Sequence, residues 1–195
     1  MLRREVFIFK IGKLMFCTPG DIFFKYYIME PQKIYFEDDG KIPNNTLPLL
    51  LYKNAFEARG EAGAAWLEQR FSKNNWTNSW RNGVFDYHHY HSNTHEVLGV
   101  YSGKARLQLG GESGQKMEVS AGDVIVIPAG VGHKNLGSEN FQIVGAYPNG
   151  KKQDMNYGKE GERPQADKNI VAVPVPQTDP LFGKEEGVPK IWKDR

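Results

Sequence analysis

The sequence predicts an all-β fold, a sandwich or small barrel of short strands, and three observations carry that expectation. Apolar and polar residues alternate at a period of two in several separate segments, as on strands with one buried face. Turn-forming Gly, Asn and Asp residues separate those segments at short intervals. Helical periodicity over a substantial length occurs once.

The first residues, MLRREVFIFKIGKLMFC, set basic residues ahead of apolar ones, as a secretory signal does. Lys10 and Lys13 interrupt the apolar stretch and no small-residue cleavage site follows, so a signal peptide is not expected. The text becomes regular at Met29, and residues 1–28 read as an appendage to the working domain. In MEPQKIYFEDDGKIPNN a short strand candidate meets an Asp-Gly turn. The helix lies in EARGEAGAAWLEQRFSKNNW, residues 57–76, where Ala64, Leu67 and Phe71 recur at helical spacing and Asn74-Asn75 ends the pattern.

Period two returns in KARLQLGG, where Ala105, Leu107 and Leu109 alternate with Lys104, Arg106 and Gln108 before a Gly-rich turn. DVIVIP is apolar on both faces, as a fully buried strand would be, and FQIVGAY alternates again. From about Pro148 the text turns polar and proline-rich, ending in NIVAVPVPQTDPLFGKEEGVPKIW. Prolines oppose a central strand, so residues 149–195 read as an extended arm lying on a domain of residues 29–148.

Composition sets the class of partner. A net charge of +2 over 195 residues advertises neither nucleic acid nor an anionic membrane. No apolar run reaches the ~18 residues that a membrane span needs. The one cysteine, Cys17, excludes an intrachain disulfide and fits a cytoplasmic setting.

The chemistry concentrates in FDYHHYHSNTHEVLGVYSG, which holds four of the five histidines. On a strand His89 and His91 share a face, while His88 and Tyr90 point the other way. Two imidazoles with Glu96 arriving from the next turn make a partial ligand set for a divalent metal. His133 follows a buried strand and a Pro-Ala-Gly turn, and folding that strand back brings it to the same point. His88 reads as a surface or interface histidine, and His95 as either a residue orienting a ligand or a turn partner. Trp66, Trp76 and Trp80 read as core anchors beside the helix.

The spacing then resembles a known family. Gly83, five residues, His89-x-His91, four residues, Glu96, six residues and Gly103 resemble the first cupin motif. Gly122, five residues, Pro128-x-Gly130, two residues and His133 resemble the second, and residues 104–121 suit the hairpin between them. The wider text is similar to the YjlB-like group of bacterial cupins over most of residues 29–195. One departure is Gly137, where the second motif usually ends in Asn; Asn135 is the neighbouring candidate for that role.

The resemblance implies a cupin-type double-stranded β-helix, a jelly-roll barrel with one N-terminal helix, binding one metal through His89, His91, Glu96 and His133. The arm is too apolar to float and either wraps its own barrel or crosses to a second copy; related cupins are commonly dimers, so a homodimer is expected, with Val171, Val173, Phe182 and Trp192 buried. Three imidazoles and a carboxylate leave two open positions on an octahedral ion, which suits Mn, Fe, Co or Ni better than tetrahedral Zn.

Phe85 and Tyr87 share the inward face, with Ala105, Leu107, Leu109, Phe141, Ile143 and Tyr147 as further wall candidates and no Lys or Arg among them. The expected ligand is a small, largely apolar, metal-chelating organic molecule. The function expected is a metal-dependent oxidoreductase of dioxygenase type, with isomerase or decarboxylase chemistry as variants and Tyr87 or His95 in acid-base steps. The alternative is a non-catalytic metal or small-molecule binding protein in the same pocket.

Overall fold

A computed structural model describes residues 14–18, 21–25 and 29–193 and divides the chain into two units, Met1–Glu30 and Pro31–Arg195. In the first unit strands β1 (Leu14–Thr18) and β2 (Asp21–Lys25) form an antiparallel hairpin, with Leu14 opposite Lys25 and Thr18 opposite Asp21. The rest of the expected appendage lies outside the described residues.

The second unit is built on a seven-stranded antiparallel sheet. Its strands are β3 (Gln32–Ile34), β4 (Leu49–Tyr52), β5 (Trp76–Asn82), β6 (Glu96–Leu109), β7 (Gln115–Ser120), β8 (Val124–Ile127) and β9 (His133–Pro148). The order is β3-β4-β8-β6-β9-β5, with β7 paired to β6 off that path. β6 and β9 are the long members, and β6 is used by three partners. Its first residues pair with β8, its last with β7, and β9 runs along most of its length.

That arrangement corrects the fold expectation. The sheet is not closed: β3 and β5 stand at opposite ends of the order and are not neighbours. The jelly-roll barrel expected from the resemblance is therefore not formed. The physical reason is the branching along β6, where β7 and β8 take successive stretches of one strand edge instead of continuing a ring. The all-β label is corrected as well, because among the described residues three helices accompany the sheet: α1 (Gly60–Lys73), α2 (Gln165–Ala172) and α3 (Val188–Ile191).

The local chemistry explains the elements. α1 carries Glu61 in its first turn and Arg70 and Lys73 in its last, each sign suited to the helix dipole. Its apolar stripe of Ala64, Leu67 and Phe71 is buried, and Asn74 and Asn75 end it, the latter at φ 62°. The stripe seats on β6 at Gly99, where a Cβ would lie 2.6 Å from a Leu67 methyl. A side chain at that position would lift the helix off the sheet.

In β6 the expected alternation holds over most of its length, with Ala105, Leu107 and Leu109 buried while Lys104 and Arg106 are exposed; Gln108, expected on the outer face, is instead buried, its amide donating to the Glu112 carbonyl at 2.9 Å. These residues join Leu49, Leu98, Val100, Ile125, Ile127, Phe141 and Ile143 in the main apolar core. β8 is buried along its whole length, as its unbroken apolar text predicts.

Residues 149–193 wrap the same unit. They are irregular chain broken by α2 and α3, not a wholly extended arm. Ala166, Ile170 and Val173 pack with Ile42, Tyr90 and Ala129 in a second apolar cluster. Trp192 is buried, and its indole N–H donates to the Pro48 carbonyl at 2.9 Å. Val173 is also buried within its own chain, Phe182 is partly buried, and Val171 is 75% exposed.

Candidate metal centre

His89 and His91 sit just ahead of β6, in chain held by isolated bridges and not in a regular strand. His89 and His133 exchange backbone hydrogen bonds at 3.3 and 3.0 Å, and the Gly130 N–H donates to the His91 carbonyl at 2.8 Å. These bonds fix the histidine segment against the turn between β8 and β9. Glu96 opens β6 and His133 opens β9. All four side chains are buried.

His89, His91 and His133 each offer a nitrogen, and these atoms lie within 4.8 Å of one another. The tautomers follow from the opposite ring nitrogens. The Nδ1 of His91 donates to the Asp154 carbonyl at 2.5 Å, that of His133 to Val131 at 3.2 Å and that of His89 to Tyr87 at 3.4 Å. A carbonyl only accepts, so each neutral ring carries its proton on Nδ1 and presents Nε2 as a lone pair. Glu96 Oε2 adds another acceptor, 3.6 Å from His91 Nε2 and 3.4 Å from His133 Nε2. Buried polar atoms are normally hydrogen-bonded. Here lone pairs face one another, and among the described residues Glu96 Oε2 finds no hydrogen-bond donor. Such an arrangement fits a cation, and the cluster of three histidines is capable of coordinating a divalent transition metal.

The proton affinities describe the competing occupant, a proton shared toward Glu96 in the place a cation would take. Burial, helped by the neighbouring imidazoles of His133 and His91, pulls His89 down to about 2 and holds it neutral. Burial opposes the charge on Glu96, but the His91 and His133 imidazoles outweigh it and keep the carboxyl below its usual range. For His91 burial again works against charge, while Glu96 and the Asp154 carbonyl prevail and move it up.

A cavity of about 140 Å³ opens onto the four side chains, walled by Trp80, Val84, Phe85, Leu98, Tyr147 and Met155 among others. Among the described residues no Lys or Arg lines it, as the sequence leads one to expect. Phe85 and Tyr147 are wall residues as anticipated. Ala105, Leu107, Leu109, Phe141 and Ile143 instead fill the apolar core beneath. Tyr87 stands outside, 43% exposed and stacked on Phe85.

His95 is fully buried and does not line the cavity: its Nδ1 accepts the Ala129 N–H at 3.0 Å and its ring packs on Trp192. It braces the turn that leads to His133. His88 points away, as alternation predicts, toward Glu112 at 3.3 Å. The Asn135 side chain bonds Gly137 and Ser138 in a local exposed turn, and its backbone N–H donates to the Phe85 carbonyl at 2.8 Å.

Sequence reasoning missed two contributors. Trp80 is a cavity wall whose indole N–H donates to the Tyr147 hydroxyl at 2.8 Å. Asp154 belongs to the polar text after Pro148, where nothing in spacing or composition marks it. Its carboxylate accepts the Ser92 N–H at 2.7 Å and the Ser92 hydroxyl at 2.5 Å, while its carbonyl holds His91.

Among the described residues no helix is long and apolar enough to cross a membrane. The cupin domain profile matches residues 81–144, which contain all four histidine and glutamate positions above. The chain is 47% identical over 165 residues to the uncharacterized protein YjlB of Bacillus subtilis (strain 168), covering 84% of this chain and 97% of that one. Among solved structures it is similar to acireductone dioxygenase from Bacillus anthracis, at 16% identity and a TM-score of 0.36, over 49% of this chain and 65% of that one. It is also similar to oxalate decarboxylase from Bacillus subtilis, at 22% identity and a TM-score of 0.32, over 54% of this chain and 26% of that one. With its two motifs placed around one buried cluster of three histidines and a relative matched over nearly its full length, the chain belongs to the cupin family.

Proposed function

We propose that the protein is a mononuclear metal-dependent oxidoreductase of dioxygenase type, acting on a small, largely apolar chelating organic substrate. The observation that carries this reading is the inward ring of lone pairs. Three Nε2 atoms, oriented by backbone carbonyls, converge in a buried pocket, and Glu96 Oε2, which has no donor among the described residues, lies against those of His91 and His133. In this reading His89, His91, Glu96 and His133 are the ligands of Mn, Fe, Co or Ni. Such an ion, held by three imidazoles and one carboxylate in octahedral geometry, keeps two positions for exogenous ligands and supplies Lewis-acid and redox chemistry.

The walls support the substrate class. A carboxylate-rich substrate would want a cationic side chain beside the metal, and the cavity lining has none. In this reading Tyr87, whose ring stands 6.0 Å from that of His89 outside the cavity, serves an acid-base step at the mouth, whereas His95 supports the turn that carries His133.

The test is metal analysis of the native protein, followed by turnover screening of that metal form with and without oxygen. One divalent ion per chain and oxygen-dependent turnover are expected. Full metal occupancy in a His91→Ala variant would defeat the ligand assignment. Stoichiometric metal without turnover on any chelating organic substrate would favour the non-catalytic binding alternative.

A further inference from the structure

The metal pocket is too small for the substrate class that its surroundings fit. About 140 Å³ is room for roughly five water-sized groups at ~30 Å³ each. Enclosed sites for organic ligands usually run to ~300 Å³ or more. Either the substrate is tiny, or only its reactive end enters.

The mouth favours the second case. Three aromatic rings continue outward from the metal ligand His89. Phe85 lines the pocket and meets His89 edge-on at 5.2 Å. Tyr87 stacks on Phe85 at 4.9 Å with the planes 13° apart. Tyr157 follows at 5.9 Å from Tyr87, with the Lys159 ammonium 4.9 Å above its ring.

These rings are 47%, 43% and 39% exposed, although large aromatics normally bury most of their surface. The outer two, Tyr87 and Tyr157, also border a wider cleft of about 590 Å³. An exposed apolar patch continuous with a reactive pocket marks a place where ligand surface is buried.

We infer that the substrate is bipartite: a small oxygen-chelating head that fits the metal pocket, joined to a planar aromatic group that stacks on the Phe85–Tyr87–Tyr157 platform. This rests on the metal reading above and adds the outer half of the recognition. The platform explains why the inner pocket can be so small and still select an organic substrate. Stacking on exposed rings supplies the affinity, and the head supplies only the chelation.

The experiment uses the full chain loaded with Mn(II) and two probes, acetohydroxamic acid and benzohydroxamic acid. Both carry the same chelating head, and only the second carries a ring. Binding is followed by calorimetry and by the Mn(II) resonance signal, with metal content checked after each titration. Benzohydroxamate should bind about tenfold more tightly, equivalent to about 1.4 kcal/mol. Phe85→Leu and Tyr157→Leu should each shrink that ratio several-fold while metal content is retained.

Equal affinities for the two probes would overturn the inference and leave the metal reading standing, as would a ratio that survives both variants. Failure of both probes to bind a protein that holds stoichiometric Mn(II) would overturn the open coordination positions, and this inference with them. A change of oligomeric state in the Phe85→Leu variant, with the probe ratio intact, would assign the platform to an interface between copies and overturn its role in substrate binding.

Discussion

Asp154 shows how much one residue outside the motifs does for the metal centre. Its carboxylate binds two N–H groups and a hydroxyl of Ser92 and Asn93, which holds its own carbonyl against His91. Asp154→Ala should leave those donors unpaired and cost about 1–3 kcal/mol of stability. It should also free the His91 ring, and loss of such a supporting partner typically lowers metal affinity about 10–100-fold. Thermal unfolding and metal titration of that variant check both numbers. Burial works to raise the Asp154 carboxyl, but Ser92 and Asn156 outweigh it and the net shift is downward. A folded value below the unfolded one gives stability that is present above about pH 4 and lost as pH falls through the folded value. The melting temperature of the parent should therefore drop with acid, and Asp154→Asn should flatten that part of the profile. Tyr147→Phe should remove the acceptor of the Trp80 indole, again at about 1–3 kcal/mol, read as a lower melting temperature. The histidines were legible in the sequence because ligand spacing is local. Asp154 was not, since its partners lie about sixty positions away and no short-range pattern records such a pairing.

At the scale of elements, what could be read followed from periodicity. α1 was legible because Ala64, Leu67 and Phe71 form a stripe and an Asn pair ends it. β6, β8 and β9 were legible from alternation or unbroken apolar text. α2 was not, because it is eight residues long in a proline-rich stretch and depends on packing of Ala166 and Ile170 against a distant cluster. The register of β6 on β9 shifts between Ser102 and Lys104. Gly103 lies between them at φ 64° with no space for a side chain, since a Cβ would lie 2.1 Å from the Glu139 carbonyl oxygen. Gly103→Ala should strain the β6–β9 pair and cost more than the ~1 kcal/mol of an ordinary Gly to Ala change at an unsuitable site. Denaturant unfolding measures this, with an unchanged midpoint as the contrary result.

Across the whole molecule, the open sheet is the largest departure from expectation. Strand number and turn spacing do not reveal whether the first and last strands of a sheet meet, because that contact is set by how long strands share their edges. The arm explains a second departure. Its apolar residues demand cover, and Val173 and Trp192 find it within their own chain, so their burial needs no second copy. Metal bound only by the folded state should raise stability by mass action, about 2.7 kcal/mol at a hundredfold excess over Kd. For a chain of this size that is roughly 5–10 °C, to be lost on chelation. A chain beginning at Met29 should fold and bind metal as the full chain does, since the unit Pro31–Arg195 carries every candidate ligand. Insolubility of that shorter chain would show that residues 1–28 cover something essential.

The support of His91 by Asp154 has a consequence for the order in which the protein is made. A nascent chain emerges from its N-terminus, so His89, His91, Glu96 and His133 all leave the ribosome before the residue that orients His91. Trp192, whose indole ties back to Pro48 and whose ring packs on His95, follows later still. The four candidate ligands thus exist as a set before they exist as a site, and on the proposed metal reading a nascent chain should not hold an ion firmly until the segment around Asp154 has followed them.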